Sequence, residues 1–265
     1  MIRLVLLFFF IPAIANGQGL VDGFFKGKNK LDFAISGFTQ RSEKFYDGIG
    51  LIQYKRSLTG VGLFAEYGLR ENFDMIVNIP FINGSFQDGT VVMKYGIPFN
   101  RSAKERRISL IPALGISFPL ADYNTESGQA IGQRALQIQP KFLFQWNTTK
   151  GLFYQVQAGY NYAFEPVPSS FITSAKLGYS FGRFYSDVWF EYQHGIGGKA
   201  WHVDAISSFR ELFVTYSRLG GVFYSQLNQR FGIAAGGSYV FSGVNIAKAW
   251  TANISLVIKF DLKKK

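Results

Sequence analysis

The chain contains two histidines, His194 and His202, and they are its strongest candidates for acid–base chemistry. A serine hydrolase needs a histidine beside a serine and an orienting group, and Asp204, Ser207 and Ser208 follow closely in the sequence. Nearness within one loop does not establish that geometry, so polar loop histidines in contact with water are the simpler interpretation. With only two histidines and no carboxylate at a ligand spacing, we do not expect a zinc site.

The glycine-rich segment 195–200, Gly-Ile-Gly-Gly-Lys-Ala, superficially resembles a phosphate-binding loop. Gln193 stands where that motif requires its first glycine, and Ala200 replaces the Ser or Thr that would meet magnesium. The chain has no cysteine, which excludes disulfides, thiolate metal sites and a cysteine nucleophile. We therefore predict no catalytic residue, no metal site and no cofactor, and do not expect an enzyme.

The elements that carry the remaining polar residues are amphipathic strands. In the segment 136–146, apolar residues occupy every even position, while Gln137, Gln139, Lys141 and Gln145 lie at odd positions. Successive side chains of a strand point to opposite faces, and a tilted strand of about ten residues crosses a bilayer's hydrocarbon core. A soluble sheet can show the same alternation, so the interpretation depends on repetition, closure and delivery to a membrane.

The alternation recurs along the chain, and its connections alternate in length. The predicted strands are 31–40, 58–69, 73–82, 90–98, 108–119, 135–146, 152–163, 173–181, 184–193, 211–226, 230–241 and 250–260. The tight connections lie near 70–72, 147–151, 182–183 and 227–229, and the longer ones at 41–57, 83–89, 120–134, 164–172, 194–210 and 242–249. The segment 99–107 is the exception, a longer connection on the side of the tight turns. Short turns on one side, longer loops on the other and an even strand number are typical of outer-membrane barrels. We predict an all-β fold, a single antiparallel up-and-down transmembrane β-barrel of about 12 strands.

The N-terminus has the features of a secretory signal. Met1-Ile2-Arg3 precedes the apolar run 4–15, and Asn16-Gly17-Gln18 supplies small and polar residues for cleavage. The run is interrupted by Pro12 and falls short of the roughly 20 residues that a spanning helix needs. The expected organisation is a cleaved signal peptide at 1–17, a short periplasmic segment at 18–30, the barrel at 31–260 and a basic tail at 261–265, located in the outer membrane.

Composition and charge agree with a wall that faces lipid. Aromatic residues make up 17% of the chain, and charged residues also make up 17%, below the roughly 25% of soluble domains. The net charge is +11, but the basic residues are scattered, so nucleic acid is not an expected partner. Expected partners are outer-membrane lipids and lipopolysaccharide, the barrel-assembly machinery that recognises a last strand ending in an aromatic such as Phe260, and a small solute. A monomer is favoured.

The inward parity of the strands predicts a hydrated, charged lumen. The expected lumen-lining charges are Glu66, Lys94, Lys141, Lys176, Asp187, Glu191 and Lys259. Since both signs occur, the charges either pair across a narrow interior and plug it or line a small aqueous path. The residues ahead of the first strand are too few for a folded plug domain, although Phe24 and Phe25 are placed to enter the periplasmic mouth.

Prolines and glycines mark the weak points of the pattern. Pro112 and Pro140 lie inside predicted strands, where a missing N–H removes a ladder hydrogen bond. If loop 120–134 joins its strands symmetrically, the two prolines are nearly opposite each other, which predicts a gap or bulge there. The inward parity of 211–226 is unclear around Gly220-Gly221.

Several short segments resemble a known group of proteins. Residues 19–28, Gly-Leu-Val-Asp-Gly-Phe-Phe-Lys-Gly-Lys, look like the start of Bacteroidota outer-membrane barrels described as transporters and grouped with the meta-pathway phenol-degradation family. Residues 68–77 resemble their early hairpin, and 178–181 and 241–243 are also similar. The resemblance implies a barrel and a channel for small, aromatic solutes. It supplies no catalytic residues.

Three functions remain open from the sequence. The first is a passive outer-membrane channel or transporter for small aromatic or anionic solutes. The second is a scaffold or surface-binding barrel without an open pore, which would bind through loops 41–57, 120–134 and 194–210. The third is a barrel lipid hydrolase, which would require His194 or His202.

Overall fold

The computed structural model describes residues 21–98 and 106–262, and in this part of the chain twelve long antiparallel strands follow one another. They are β1 (Lys30–Tyr46), β2 (Leu51–Arg70), β3 (Phe73–Ile82), β4 (Asp88–Tyr95), β5 (Arg106–Pro119), β6 (Gln137–Thr148), β7 (Leu152–Ala163), β8 (Ser169–Phe181), β9 (Phe184–Ile196), β10 (Thr215–Gln226), β11 (Phe231–Val244) and β12 (Ile246–Asp261). The two-residue strands Ser85–Phe86 and Ile97–Pro98 pair with β3 and β5. A short 3-10 helix, Phe209–Glu211, precedes β10.

The sheet closes on itself. Each long strand pairs with the next, and β1 also pairs with β12, from Lys30 opposite Asp261 to Tyr46 opposite Ile246. Closure satisfies the backbone groups of both strands that would otherwise form edges, which is the condition for a sheet to cross a bilayer. The predicted all-β fold with a closed 12-strand antiparallel barrel is confirmed. No helix in the described part of the chain is long and apolar enough to cross a membrane.

The barrel is apolar outside and polar inside. On β6, Ile138 and Phe142 are 38% and 50% exposed, while Gln139 and Gln145 are 3% and 0% exposed. The outer face carries rows of aromatic rings, and Phe181 and Phe184 lie 5.4 Å apart near the tight turns. This inverted pattern suits lipid outside and water or polar protein inside, so the chain is an outer-membrane β-barrel. The tight turns mark its periplasmic end, and the longer loops mark its extracellular end.

Two of the six predicted long loops are wrong. β1 and β2 extend until only residues 47–50 connect them, and β11 and β12 are joined by Asn245 alone, at φ +55. The added strand residues include Arg41, Glu43 and Lys44, which break the apolar alternation. Above the bilayer both faces of a strand can meet water, so the period that identifies a lipid-facing strand is lost there while the ladder continues. The long connections at this end are 120–136 and 197–214.

The ladder is interrupted beside each proline, but not between them. Pro112 pairs with Phe142 and Leu114 with Pro140, and the register of β5 against β6 has no shift. The missing pairs lie on the other side of each strand, between β4 and β5 beside Pro112 and between β6 and β7 at Gln139 and Pro140. A strand residue directs its N–H toward one neighbour only, and both prolines direct the missing N–H away from the β5–β6 pair. The gap predicted between the two prolines is therefore wrong, and two gaps lie instead between this pair and the strand on either side of it.

Candidate functional site

The periplasmic half of the lumen is filled by residues 21–29, which we call the plug. Val21 is 4% exposed and packs into an apolar cluster with Ile76, Ile111 and Leu143 on the barrel wall. The backbone of the plug bonds to wall glutamines: the Gly23 N–H donates to Gln145 Oε1 at 2.9 Å, and Gln155 Nε2 donates to the Val21 carbonyl at 2.7 Å. These buried polar partners hold an extended segment that has no strand ladder of its own.

Lys94, which has no exposed surface, is the centre of the plug's electrostatics. Its Nζ lies 3.0 Å from Asp22 Oδ1 and 2.6 Å from Glu66 Oε1, and it donates to the carbonyls of Asp22 and Phe24 at 3.0 and 2.6 Å. A buried ammonium needs such partners because desolvation strongly disfavours an unpaired charge. Lys94 therefore ties the plug to β2 and β4 together.

Lys26 makes a second set of ionic contacts from the plug to the wall. Its Nζ lies 3.1 Å from Asp32 and 3.0 Å from Glu66, and its backbone N–H donates to Asp74 Oδ2 at 2.9 Å. Glu66 thus bridges Lys26 and Lys94, one on the plug and one on β4. Each of the two ammonium groups in this half of the lumen is thus paired with two carboxylates.

Both plug phenylalanines lie inside the barrel. The Phe24 ring packs edge-on against Phe153 at 5.0 Å and against Tyr185 at 6.2 Å. The Phe25 ring lies 5.1 Å from Lys94 Nζ. Between Val21 and Phe24 the fit is tight, because a Cβ added to Gly23 would lie 2.9 Å or less from three atoms of Gln145. The plug therefore matches the shape of this section of the lumen.

Two further ionic groups line the wall. Lys176 Nζ lies 3.3 Å from Asp187 Oδ2, which also accepts a 2.6 Å hydrogen bond from Tyr185. Glu191 Oε1 accepts from Arg218 at 2.5 Å and from Tyr216 at 2.8 Å, and Arg218 also lies 5.1 Å from the Trp189 ring. These contacts fix Arg218 on the inner face of β10.

Lys141 and Lys259 are placed differently from the other predicted lumen residues. Both have inward parity and are half-buried. Lys259 Nζ lies 5.2 Å from the Tyr224 ring. Among the residues that the structure describes, neither lysine has a carboxylate within 4.0 Å. The predicted set is thus divided between paired groups (Glu66, Lys94, Lys176, Asp187, Glu191) and two unpaired lysines.

The extracellular half of the lumen contains a chamber of about 310 Å³. Arg56 and Arg218 line it from opposite parts of the chain, together with amide side chains and a patch of apolar residues. Its polar lining includes Gln40, Arg56, Asp88, Asn161, Tyr216 and Arg218, and its apolar lining includes Leu58, Pro80, Ile82, Val240 and Ile246. Its volume lies at the lower end of the range for small-molecule sites, about 300–1,000 Å³.

Loops 120–136 and 197–214 fold inward and cover the chamber. Tyr123, 4% exposed, donates to Asp88 Oδ1 at 2.8 Å and pins the first loop to β4. Arg210 donates to the carbonyls of Gln133 and Arg134 at 3.0 and 3.1 Å and joins the two loops. The lumen is thus closed at one end by the plug and covered at the other by loops.

The outer loops also contain buried or bonded carboxylates. Asp47 accepts a 2.7 Å hydrogen bond from His202, and burial of Asp47 opposes ionisation, but this bond and the N–H groups of Gly50 and Ile49 hold its pKa below the usual value. Glu126 accepts from the Ser208 hydroxyl and from the Phe209 N–H, which lower its pKa. Both groups favour the covered arrangement in their ionised form.

The hydrolase residues are not assembled into a triad. Asp47 orients His202, but in the described ranges His202 contacts no serine hydroxyl, and Ser208 bonds to Glu126 instead. His194 is exposed and stacks on Tyr192. In the glycine-rich segment, Lys199 pairs with Glu211 at 2.7 Å. Among the described residues, no group of three or more His, Asp or Glu side chains could hold a metal.

Parity identified the paired wall residues, but other residues of the site were missed. The plug residues Asp22 and Lys26 belong to a segment without a period, so nothing local indicated their partners. The alternation places Arg56 in loop 41–57, although Arg56 shares the even parity of Glu66 along β2. Arg218 lies in the strand whose parity the two glycines obscured.

Comparison with known proteins shows a likeness of fold. No protein-family model matches the chain, and no curated protein matches it by sequence. A crystal structure of an outer-membrane channel from Pseudomonas putida F1 is similar at a TM-score of 0.72 and 9% identity, covering 91% of this chain and 100% of that one. The KdgM porin (TM-score 0.57, 10% identity, 86% and 99% covered) and the NanC porin (0.56, 9%, 87% and 100%) are also similar. The chain therefore has the fold of outer-membrane channels and porins.

Proposed function

We propose that this barrel is a passive channel for small solutes, aromatic or anionic, and that the plug closes it from the periplasmic side. The observation that carries the proposal is a polar lumen with two different halves. The periplasmic half is filled by the plug, which forms no strand ladder with the wall, and the extracellular half contains the chamber. The plug is joined to the wall by side-chain bonds and ion pairs, so it can leave without breaking any strand ladder of the barrel. The fold likeness to channels and porins supports the same function.

The resemblance to Bacteroidota transporters of the meta-pathway phenol-degradation group remains part of the proposal. The segment 19–28 that carries the resemblance overlaps the plug at residues 21–28. Membrane lipids, lipopolysaccharide and the assembly machinery remain the proposed partners. A monomer is proposed because one chain closes the ring by itself.

A disulfide tests whether plug movement opens the channel. The chain has no cysteine, and a Cβ at Gly23 would lie 2.9 Å from Gln145 Cβ, so that the plug backbone need move outward only slightly to reach the roughly 3.5–4.5 Å of disulfides. In the double variant Gly23→Cys and Gln145→Cys, we expect oxidation to abolish single-channel events and reduction to restore them. The oxidised and reduced states of one protein are the matched pair. Equal conductance in both states would contradict gating by the plug.

A closed scaffold is the second candidate, since both ends of the lumen are occluded. Planar-bilayer recording separates it from the channel. Silence in the wild type, in the reduced double variant and in a variant with a weakened plug would exclude the channel and favour the scaffold.

A further inference from the structure

We infer that the chamber is a binding site for a small organic anion, a carboxylate attached to an apolar body, held by Arg56 and Arg218. This inference rests on the proposed function, since it names the class of solute that the channel would take. The two arginines are not among the lumen charges that parity predicted.

Arg56 is a guanidinium without a counter-charge. Its Nη1 donates to Gln40 Oε1 at 2.9 Å, and its Nη2 donates to the Ala130 carbonyl on the covering loop. Its Nε is buried and has no hydrogen-bond partner. Within 21–98 and 106–262, no carboxylate lies within 4.0 Å of this side chain.

Arg218 supplies a second guanidinium group to the chamber wall. Its Nη2 is bonded to Glu191, but its buried Nε also lacks a partner. A buried donor without a hydrogen-bond partner carries a desolvation penalty of about 1–3 kcal/mol, and more when the group is charged. An anion in the chamber would meet the guanidinium groups of both arginines, which line it. Guanidinium groups suit a carboxylate because their planar donors match its two oxygens.

The other residues that line the chamber indicate what the rest of the ligand is like. The apolar residues of the chamber give it a surface for a hydrocarbon or ring, and Tyr216 adds an aromatic face. The only carboxylate among the described lining residues, Asp88, is bonded to Tyr123 at 2.8 Å. A neutral polar solute would leave the Arg56 charge uncompensated, and a cation would be repelled by it.

Arg56 also lies at the passage into the chamber. A second cavity of about 190 Å³, toward the loops, shares Arg56, Ile131, Gln133 and Val214 with the chamber. A carboxylate moving inward meets Arg56 first and competes with the Ala130 carbonyl for its donors. The site and the loop cover are thus coupled through one side chain.

Binding of 4-fluorobenzoate, followed by ¹⁹F NMR with the purified full chain in detergent, tests the inference. We expect 4-fluorobenzoate to bind at least tenfold more tightly than its neutral isostere 4-fluorobenzamide. Arg56→Gln and Arg218→Gln should each weaken benzoate binding by about tenfold or more, because each removes charge-assisted hydrogen bonds. Arg56→Lys should retain part of the affinity. Arg41→Gln, on the outer face of β1, is the matched control and should change nothing.

Equal binding of the acid and the amide to the wild type would overturn the inference, whether or not the variants fold. Equal benzoate binding by wild type and Arg56→Gln would overturn it as well. Conductance measured on the same preparation separates this result from the proposed function. Conductance without selective benzoate binding would support the channel and contradict the anion site. Selective binding without conductance would support the anion site and contradict the channel.

Discussion

The two halves of the lumen treat charge in opposite ways. In the periplasmic half, Lys26 and Lys94 meet Asp22, Asp32 and Glu66 at 2.6–3.1 Å, and the chain's own plug fills the space. In the extracellular half, a chamber remains open in front of Arg218, which is paired with Glu191, and of Arg56, which has no carboxylate within 4.0 Å among the described residues. Paired charge is a way to hold protein in place, whereas unpaired charge is available to a ligand. The first half is therefore the closure, and the second half is the site.

Breaking the closure at its centre should have the largest effect. Lys94→Met removes the ammonium that holds Asp22 and two plug carbonyls, and loss of one partner of a buried ion pair costs about 3–5 kcal/mol. Glu66 keeps its ion pair with Lys26 in this variant, so the barrel should still fold. We expect the open probability in bilayer recordings to rise by roughly 100-fold. Lys44→Met, at an exposed position of β1, should have wild-type gating; unchanged gating in Lys94→Met would argue that the plug is only structural.

A steric change should loosen the plug without touching its charges. Gly23→Val places methyl groups where Gln145 already lies within 2.9 Å, and overpacking of this kind costs about 1–3 kcal/mol. The expected result is an increase in open probability of about tenfold. Gly50→Val is the matched control, because a Cβ there meets nothing within 4 Å. Channels that stay as closed as the wild type would mean that the plug is not tightly fitted.

Anion binding in the extracellular half should strengthen when the carboxylate that competes for Arg218 is removed. Glu191→Gln removes a negative charge at 2.5 Å from its guanidinium and leaves that group freer to meet an anion. We expect 4-fluorobenzoate binding to strengthen by about threefold, a modest effect because the amide can still accept one hydrogen bond. Glu43→Gln, exposed on β1, should leave binding unchanged. Weaker binding in Glu191→Gln would instead assign Glu191 to positioning Arg218.

The smallest expected effect is the acid sensitivity of the loop cover. The folded-state pKa of Asp47 is below its usual value of 3.8, so its contribution is fully present above that value and is lost as the pH falls through the folded pKa. Glu126 changes in the same direction. Amide hydrogen exchange in loop 197–214, corrected for intrinsic rates, should be constant from pH 7 to about 5 and increase by a few-fold only below about 4. Asp47→Asn should abolish part of that increase; an increase already complete at pH 6 would point to other groups.

Most of the fold was predictable because its signals are local. The period of two across each spanning strand and the tight turns between them identified twelve strands and the inward faces of Glu66, Lys94 and Glu191. The ladder above the bilayer was not predictable from alternation, since Arg41 and Lys44 meet water on either face. For that reason the alternation places Arg56, which precedes the predicted strand 58–69, in a loop.

The plug was beyond reach for a different reason. Its bonds join positions far apart in the chain, 72 positions for Asp22 and Lys94 and 122 for Gly23 and Gln145. Such contacts depend on the closed ring that brings β4 and β6 round to the N-terminal segment. Parity can state which charges face the lumen, but not which of them a distant segment will neutralise.

The two displaced gaps in the ladder have a mechanical consequence. They lie on the two sides of the β5–β6 hairpin, one toward β4 and one toward β7. The ladder between β5 and β6 is therefore continuous, whereas the ladders that join this hairpin to β4 and to β7 are interrupted. The same hairpin carries loop 120–136, whose Ala130 carbonyl meets Arg56. Pro112 and Pro140 thus leave this hairpin, which carries part of the chamber's cover, with fewer ladder pairs to its neighbours than between its own two strands.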